Sequence, residues 1–396
     1  MPAHKPIADI VAAVRTPIGT ARKGSLSQIS AADLARPVVS AAIERSGVDA
    51  DRFDDLLLAE VYQGGGDIAR YVAVDLGLES IPGVALNRQC ASSLTAISLG
   101  AAQIAAGMST ALLAGGTESL STTPVNRKRR AFTTGKEPSD YDDPWFSPSH
   151  PSTEDAPAMD MSITVAHNCA KRFGITRTDQ DEWALRSHQR AVAAIDAGWF
   201  AKEIIPIEVP GADGSTTPFS SDEHPRRDTT LESLGELRVL HPEIDGFTVT
   251  AGNSSGLNDA AAAVALTAAG TVSDPLASIL SWASVGVNPA ETGAAPIAAI
   301  PKALALAGVV KEDIAIFEIN EAFAAQAVAC TRQLELDEDL VNVYGSGISL
   351  GHPIAATGAR MVTSVIHELR RRGGGLGVVS MCAGGGMGSA MVVRVG

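Results

Sequence analysis

Two turns in this sequence carry residue types suited to proton transfer. Cys382 opens a glycine-rich run at residues 382–388 (Cys-Ala-Gly-Gly-Gly-Met-Gly), and His352 stands between a glycine and a proline earlier in the chain. Glycines leave a thiol unshielded and let backbone N–H groups approach a ligand closely. A turn histidine can accept and return a proton near neutral pH. The histidine could share protons with the thiol, provided that the fold brings the two turns together.

A second thiol, Cys90, lies where a helix is predicted to begin, within Asn-Arg-Gln-Cys-Ala-Ser-Ser at residues 87–93. The positive end of a helix dipole lowers the pKa of a thiol and favours the thiolate, which is the form that accepts an acyl group. The alternative for each cysteine is a buried structural residue, and for His352 a helix cap. Together the three residues predict a two-cysteine, one-histidine acyl-transfer site.

Other polar residues could contact a substrate. Asn320 follows a predicted strand at 314–319 and could bind a water or a substrate oxygen, while Gly384 could offer a backbone N–H to a developing oxyanion. Ser255 lies in a polar stretch, residues 253–259, where helix capping is the commoner explanation. Arg226 could bind phosphate, although a solvated arginine is the simpler alternative. Cys169 and Cys330 fall in helical patterns and are interpreted as structural.

The composition predicts a protein with a large core and excludes several classes. Of 396 residues, 45% are hydrophobic and 19% charged, which suits two or three domains or one duplicated α/β body. The net charge of −14 argues against nucleic-acid or anionic-membrane partners. No apolar run approaches the ~18 residues of a membrane span, and no signal peptide precedes the strand predicted at 7–14. Four cysteines without metal spacing favour a cytoplasmic setting and no metal.

Short β-branched runs alternate with alanine-rich stretches, as in layered α/β proteins. A proline-rich, polar region interrupts the pattern and contains a predicted amphipathic helix at 179–197. We therefore predict an N-terminal half formed by residues 1–119 with 247–274, a lid or oligomerisation subdomain at 120–246, and a C-terminal half at 275–396.

The two halves share an order of elements: strand, reactive residue, helix, glycine, strand, glycine turn. The first copy has strands at 84–87 and 111–114 around a helix that follows Cys90. The second has strands at 342–344 and 376–381 around a helix that follows His352. A helix is also predicted in the alanine-rich stretch after residue 259. A duplicated fold would place both reactive residues and Cys382 at one crevice.

These segments together resemble the thiolase family, the coenzyme A-dependent enzymes that make or cleave 3-ketoacyl-CoA. The resemblance runs nearly end to end and rests on short motifs in the family's order, at residues 13–19, 87–93, 250–259, 320–323, 351–360 and 382–388. It implies an α/β fold with the thiolase-like five-layered αβαβα arrangement, built from two similar halves plus an inserted loop subdomain. It also implies reversible thiolytic cleavage or Claisen condensation through an acyl-cysteine, in fatty acid or lipid metabolism.

The resemblance implies a role for each motif residue. Cys90 is similar to the family's nucleophile, and His352 to the base that activates it and forms part of one oxyanion site. Asn320 matches the residue that holds a water in that site. Cys382 matches the acid/base acting at the α-carbon of acetyl-CoA. The N–H groups of Cys90 and Gly384 match the second oxyanion site.

Substrate contacts follow in the same way. Ser255 and Arg226 match positions that contact the pantetheine and nucleotide parts of the coenzyme, and Met161 and Phe323 are further expected substrate contacts. Coenzyme A thioesters are then substrates, and no cofactor is implied. The resemblance also implies a homodimer or homotetramer and allows a hydratase/dehydrogenase partner subunit.

The chain departs from the family's short-chain members in its loop region. Asp160 stands where biosynthetic acetoacetyl-CoA thiolases have the histidine of a His-Met-Gly pattern, and Ser162 replaces the glycine. Residues 138–157 do not match the usual tetramer-forming loop. These departures weaken the case for the acetoacetyl preference and for the usual tetramer, and they leave the catalytic set unchanged. Two alternatives stay open: a ketoacyl-synthase-type condensing enzyme and a non-catalytic acyl-CoA-binding subunit of thiolase fold.

Overall fold

The computed structural model describes residues 6–211 and 213–396. Residues 1–5, where the sequence analysis predicted no signal peptide, lie outside the described part. Its strands are β1 (Ala8–Arg15), β2 (Gly19–Thr20), β3 (Asp55–Ala59), β4 (Gly83–Leu86), β5 (Ala111–Ser119), β6 (Arg127–Arg129), β7 (Tyr141–Pro144), β8 (Ile207–Pro210), β9 (Thr216–Phe219), β10 (Asn258–Ala268), β11 (Ala277–Gly286), β12 (Ile314–Ile319), β13 (Gly375–Ala383) and β14 (Met387–Val395).

The α-helices of the described chain are α1 (Ala31–Ser46), α2 (Ile68–Asp75), α3 (Ser92–Ala105), α4 (Asn168–Phe173), α5 (Arg177–Asp196), α6 (Leu231–Gly235), α7 (Ala295–Ala307), α8 (Ala324–Gln333) and α9 (Thr357–Arg372). A short π-helix, Ser162–His167, runs into α4. Within the described residues, no helix is both long and apolar enough to cross a membrane.

The main strands form one mixed sheet in the order β12-β13-β14-β11-β1-β10-β5-β3-β4, with β2 against β10. The sheet has two halves that meet where β1 pairs with β11, over the short register Ala8↔Ile279 to Ile10↔Ala277. Each half is antiparallel near this junction and ends in parallel pairs, β12 with β13 and β3 with both β4 and β5. The two halves are therefore similarly built, as the sequence predicted.

Five layers result from where the helices pack. Helices α3 and α9 lie between the half-sheets, where Ile97 and Val362 share one core with apolar residues of both halves, such as Val264 and Val379. Helices α1 and α2 cover the outer face of the first half. Helices α7 and α8 cover the outer face of the second. The predicted αβαβα architecture is confirmed.

One sequence prediction fails at the centre of the sheet. The alanine-rich stretch after residue 259 is the strand β10, not a helix. Alanine favours helices in isolation, but β10 is hydrogen-bonded to β1 and β5 along its length and buried on both faces. Small side chains let the helical layers approach the strand closely. Residues 342–344 likewise do not form the predicted strand: Val343 makes a single isolated bridge, and Asn342 has a positive φ of 52° that interrupts extended backbone.

Residues 120–246 contain two short hairpins, β6–β7 and β8–β9, and the helices α4 to α6. Helix α5 confirms the amphipathic pattern predicted at 179–197. A buried ion pair ties this region to the sheet: Arg15 of β1 binds Glu203 at 2.6 Å and Asp222 at 2.7 Å. A buried charge needs such partners, so this contact fixes the region on the body.

Candidate active site

Cys90 lies in the short connection between β4 and α3, two residues before the helix that the sequence predicted it to open. The preceding residue, Gln89, has a left-handed backbone with φ of 50°, an uncommon conformation for a residue with a side chain. The Arg88 N–H binds the Ser92 hydroxyl at 2.7 Å and holds the turn. This strained turn presents Cys90, half-buried, at the carboxyl end of its strand.

The chemistry of the Cys90 thiol differs from the sequence prediction. Burial raises its pKa to about 11 and outweighs the hydrogen bonds that it receives from the backbone N–H groups of Gly384 and of Cys90 itself. The expectation that the helix N-terminus lowers this pKa is therefore wrong. Removal of the thiolate from water destabilises it more than the helix dipole and the two hydrogen bonds stabilise it. The thiol is protonated at neutral pH and needs a base.

Cys382 is the last residue but one of β13, just before the tight turn to β14. Gly385 and Gly386 have φ of 91° and 75°, so this turn requires glycine. The Cys382 side chain is buried, which raises its pKa, and the neighbouring Cys90 sulfur is the second cause of that rise. The structure thus brings the two predicted sulfurs to one place.

The hydrogen bonds of His352 define its tautomer. Thr357 donates its hydroxyl proton to the Pro353 carbonyl at 2.8 Å and therefore accepts a proton from Nδ1 of His352 at 2.7 Å. Burial lowers the pKa of His352 to about 3, so the ring is neutral and Nε2 carries a lone pair. Nε2 is buried, and no group within residues 6–211 and 213–396 hydrogen-bonds to it. It is an acceptor available to a substrate or a thiol.

Replacing Thr357 with valine is expected to reduce kcat about tenfold with little change in KM, because the imidazole then loses the contact that selects its tautomer. Thr363→Val is a matched control on the same helix, since its hydroxyl is buried without a partner among the described residues. Steady-state kinetics on both variants provides the measurement. Equal losses in the two would contradict the role of Thr357.

Asn320 directly follows β12, the strand at the parallel edge of the second half-sheet. Both polar atoms of its amide are buried, and neither has a hydrogen-bond partner in the described chain. A Cβ at Gly347 would lie 2.7 Å from Asn320 Oδ1, so glycine keeps this space open. Buried amide atoms without protein partners are costly and are typical of groups that bind a water or a ligand.

Loop contacts bring the remaining motifs together. Met161 and Phe323 pack around Cys382 in one apolar cluster. The Ser255 N–H binds the carbonyl of Ala322 at 3.0 Å, next to Phe323. Two residues further on, Leu257 forms a β-bridge with His352. The polar stretch at 253–259 therefore contacts both the Phe323 and the His352 loops.

The same polar stretch is contacted by the segment of Arg226: a Cβ at Gly256 would lie 2.4 Å from the ring of His224, two residues before Arg226. Arg226 itself is exposed and borders a separate cavity of about 260 Å³, where its backbone N–H binds Nδ1 of His188 at 3.2 Å. As for metals, the described residues include no group of three or more histidine, cysteine, aspartate or glutamate side chains placed to hold an ion.

Two family models match adjoining parts of the sequence: "Thiolase, N-terminal domain" at residues 8–270 and "Thiolase, C-terminal domain" at residues 273–395. This chain belongs to the thiolase family. The resemblance inferred from the motifs is confirmed, and this thiolase is an acyltransferase.

Characterised relatives match this thiolase over nearly its whole length. An acetyl-CoA acetyltransferase of Escherichia coli is 42% identical, covering 97% of this chain and 98% of its own. A beta-ketoadipyl-CoA thiolase of Pseudomonas aeruginosa is 41% identical, covering 96% and 97%. The crystal structure of the Bacillus anthracis acetyl-CoA acetyltransferase superposes with a TM-score of 0.90 at 38% identity, covering 99% of each chain. Human mitochondrial 3-ketoacyl-CoA thiolase gives a TM-score of 0.89 at 37% identity, covering 98% and 99%.

Sequence reasoning missed Glu118, a buried carboxyl group of this thiolase at the end of β5. Its Oε1 accepts hydrogen bonds from the Tyr62 N–H at 3.1 Å and from Gln63 Nε2 at 2.6 Å, while Oε2 accepts one from the Ala355 N–H at 3.1 Å. Burial raises its pKa to about 7. Glu118 thus ties the loop after β3 to the loop of His352. The sequence signal that could have predicted this contact is a charged residue near the end of a buried apolar strand.

Asp160, the departure from the short-chain pattern, forms a second missed contact. Asp160 Oδ2 lies 2.8 Å from His241 Nε2, and Nδ1 of the same ring lies 2.7 Å from Glu243. Asp160 also accepts hydrogen bonds from the N–H and hydroxyl of Ser162. The pair joins the loop that carries Met161 to the segment after α6. Sequence separation hid this contact.

The Asp160–His241 contact predicts a pH-dependent stability. Glu243, His241's hydrogen-bond partner, raises the pKa of His241 above 6.5, with Asp160 adding to the effect. The imidazolium therefore stabilises the fold fully below pH 6.5, the ordinary pKa of histidine. This stabilisation is lost as the pH rises through the raised pKa of the folded state. We expect His241→Gln to lower Tm by about 1 °C near pH 5 and by less at pH 9, measured by calorimetry. A difference that grows with pH would contradict this assignment.

Proposed function

We propose that this thiolase cleaves 3-ketoacyl-CoA with coenzyme A, and in reverse condenses an acyl-CoA with acetyl-CoA, through an acyl thioester on Cys90. The observation that supports this most directly is the complementary state of Cys90 and His352, whose loops are joined by Glu118, a near neighbour of the Cys90 thiol that accepts a hydrogen bond from the Ala355 N–H. Cys90 holds a proton that it must lose, with a pKa of about 11, and His352 has a neutral imidazole with a free Nε2 lone pair. Each group supplies what the other needs.

In the first half-reaction, the Cys90 sulfur attacks the 3-keto carbon while its proton passes to Nε2 of His352. The bond between the second and third carbons then breaks, and its electron pair becomes the enolate of acetyl-CoA. Cys382 donates its thiol proton to that enolate carbon, and acetyl-CoA leaves. The shortened acyl group stays on Cys90 as a thioester.

In the second half-reaction, coenzyme A takes up the acyl group. The Cys382 thiolate removes the proton of the incoming coenzyme thiol, whose sulfur attacks the acyl carbon on Cys90. The bond from the carbonyl carbon to the Cys90 sulfur breaks, and the proton held on His352 returns to that sulfur. Both cysteines and the histidine end in their starting states, so the cycle balances.

Two oxyanion sites lower the barriers. Protonated Nε2 of His352, together with a water bound by Asn320, would stabilise the thioester enolate. The N–H groups of Cys90 and Gly384 already reach the Cys90 sulfur and are placed to donate to the tetrahedral oxygen formed beside it. One fixed donor of this kind contributes roughly 3 kcal/mol to transition-state stability. Preformed donors need no reorganisation during the reaction.

Substrate contacts complete the proposal. Met161 and Phe323 would line the passage beside Cys382, Ser255 would contact the pantetheine, and Arg226 the nucleotide phosphates. No metal or redox cofactor enters these steps, since thioester enolates are stabilised by hydrogen bonds alone in this scheme. We expect Asp160 and Ser162, the two departures from the short-chain pattern, to influence which acyl chain lengths the enzyme accepts.

We place this activity in fatty acid or related lipid metabolism in the cytoplasm. Support comes from the bacterial relatives and from the four free thiols, which suit a reducing compartment. We propose a homodimer or homotetramer, because the edge strand β4 lies next to Cys90 and offers backbone hydrogen bonds to a second copy. A hydratase/dehydrogenase subunit would be a suitable partner, since oxidation of a 3-hydroxyacyl-CoA yields the 3-keto substrate.

The test is a thiolysis series with purified enzyme, coenzyme A and 3-ketoacyl-CoA substrates from short to long, followed by chromatography of the acyl-CoA products. We expect each productive substrate to give acetyl-CoA and the shortened acyl-CoA in equal amounts. Binding without cleavage would indicate a non-catalytic acyl-CoA-binding subunit. Carbon dioxide release from a malonyl thioester, with no thiolysis, would indicate a ketoacyl-synthase-type enzyme.

A further inference from the structure

Glu321 carries a buried carboxyl group that no step of the proposed reaction uses. It directly follows Asn320, the residue proposed to hold a water in one oxyanion site. The nearby Glu318 is paired with Arg360 at 2.7 Å, whereas no cation of the described chain forms an ion pair with Glu321. A buried carboxylate without a cation is costly unless hydrogen-bond donors surround it. The donors around Glu321 therefore indicate what it holds in place.

Four hydrogen bonds surround this carboxylate, two on each oxygen. Oε1 accepts from Trp183 Nε1 at 2.9 Å and from Asn342 Nδ2 at 3.0 Å. Oε2 accepts from the Ser187 hydroxyl at 2.6 Å and from the Ile348 N–H at 3.2 Å. Trp183 and Ser187 belong to α5, so Glu321 joins the loop subdomain to two loops of the C-terminal half.

The contact with Ile348 fixes the turn that packs on Asn320. A Cβ at Gly347 would lie 2.7 Å from Asn320 Oδ1 and 2.7 Å from the carbonyl oxygen of Glu321. Ile348 follows Gly347 directly, and the Glu321 carboxylate binds its N–H. The chain then reaches His352 four residues later. The carboxylate therefore sets how closely this turn approaches the amide of Asn320.

Ser187 supports the same turn with the help of the carboxylate. Because Ser187 donates its proton to Glu321, its oxygen is left to accept from other groups. Ser349 Oγ lies 2.7 Å from this oxygen, and the Ser346 N–H reaches it at 3.4 Å. One buried anion thus orders the turn at residues 346–349 directly and through Ser187.

We propose that Glu321 is a positioning residue for the oxyanion site of the thioester enolate: its carboxylate holds the turn at residues 346–349 against Asn320 and so fixes the amide that binds the water. The inference rests on the proposed function and adds to it a residue that has no step of its own. Displacing such a group by about 1 Å can lower a rate by roughly 10²-fold. Cys90 and Gly384, which form the other oxyanion site, lie on different loops and do not depend on Glu321.

Glu321→Gln is a selective test of the Ile348 contact. The carboxylate accepts on both oxygens, whereas the amide of glutamine has one oxygen and one NH₂ group. Trp183 and Asn342 only donate at this position, so they retain the amide oxygen. The Ser187 hydroxyl can reverse its direction, but the Ile348 N–H then faces a second donor. The variant therefore loses the hydrogen bond that holds the turn.

The experiment compares two reactions that differ in their need for the enolate site. Thiolysis of a 3-ketoacyl-CoA forms the enolate. Exchange of isotopically labelled coenzyme A into the shortened acyl-CoA product runs only the second half-reaction, in both directions, through the acyl thioester on Cys90. We expect Glu321→Gln to lower the rate of thiolysis about tenfold or more and to leave the rate of exchange within about threefold of the native value. The readout is the ratio of the two rates on one preparation, which is insensitive to the folded fraction of a variant.

Two further variants accompany Glu321→Gln. Gly347→Ala displaces the Asn320 amide from the other side, because its Cβ would meet Asn320 Oδ1, and it should lower the same ratio. Trp183→Phe is the control. It removes a donor from Oε1 and leaves the Ile348 contact in place, so it should lower Tm and keep the ratio.

Each result has a distinct meaning. Equal losses of thiolysis and exchange in Glu321→Gln, or no loss of either, would overturn the inference while leaving the proposed function intact. A ratio that falls as far in Trp183→Phe as in Glu321→Gln would also overturn it, since the Ile348 contact would then not matter. If Glu321→Gln does not fold, Gly347→Ala decides by the same ratio. A native enzyme that cleaves no 3-ketoacyl-CoA would overturn the proposed function itself.

Discussion

Replacing Cys90 with alanine should lower the rate of thiolysis by a factor of about 10⁴ or more, because no other group can carry the acyl chain between the two half-reactions. The fold should be unchanged, since Cys90 is only half-buried at the edge of the core and its connection is held by the Arg88 N–H contact to Ser92. Loss of activity with an unchanged Tm is the expected result. Steady-state kinetics and calorimetry measure the two.

The matched control is Cys169→Ala, which removes a buried thiol from a core position. It should retain most of the activity and lose some stability. Intact mass spectrometry after incubation with acetyl-CoA adds a direct readout: the native enzyme should gain one acetyl group, and Cys90→Ala should gain none. A stable acetyl adduct in the alanine variant, with turnover preserved, would rule out covalent catalysis at this position.

Replacing His352 with alanine should reduce kcat about 10³-fold at neutral pH, since the Cys90 thiol then has no base. A thiol with a pKa of about 11 is almost entirely protonated at pH 7. The control His367→Gln alters another histidine, the one on α9 that binds the Ala13 carbonyl at 3.0 Å. It should leave kcat within about threefold of the native value, because this half-buried contact binds the backbone of β1 and none of the groups in the proposed reaction.

The pH dependence separates general-base catalysis from a purely structural role. In His352→Ala only the thiolate reacts, so the rate should rise with pH up to about 11, the pKa of Cys90. In the native enzyme His352 has a pKa of about 3 and is neutral at every working pH, so its own titration should not appear in the pH–rate curve. The inflection that we expect in this curve, near pH 7, comes from Glu118 and should vanish in Glu118→Gln. A His352→Ala rate that is flat between pH 7 and 10 would contradict the base assignment.

The sequence by itself determined the family and the fold class, and it predicted the members of the catalytic group. Strand β12 coincides with the predicted 314–319, because a short apolar run bounded by polar residues is buried on both faces. The glycine turn after Cys382 was also readable, since only glycine readily adopts its positive φ values. These features depend on residues that are close together in the chain, so the sequence is sufficient to predict them.

Only the tertiary structure decided the state of each group. Burial set the pKa of Cys90 to about 11 against the local effect of its helix, and Thr357 selected the tautomer of His352. Burial on both faces also made the alanine-rich β10 a strand against its intrinsic propensity. Each outcome depends on which distant segments exclude water from a residue. Desolvation depends on the whole fold, so it cannot be predicted from a local stretch of sequence.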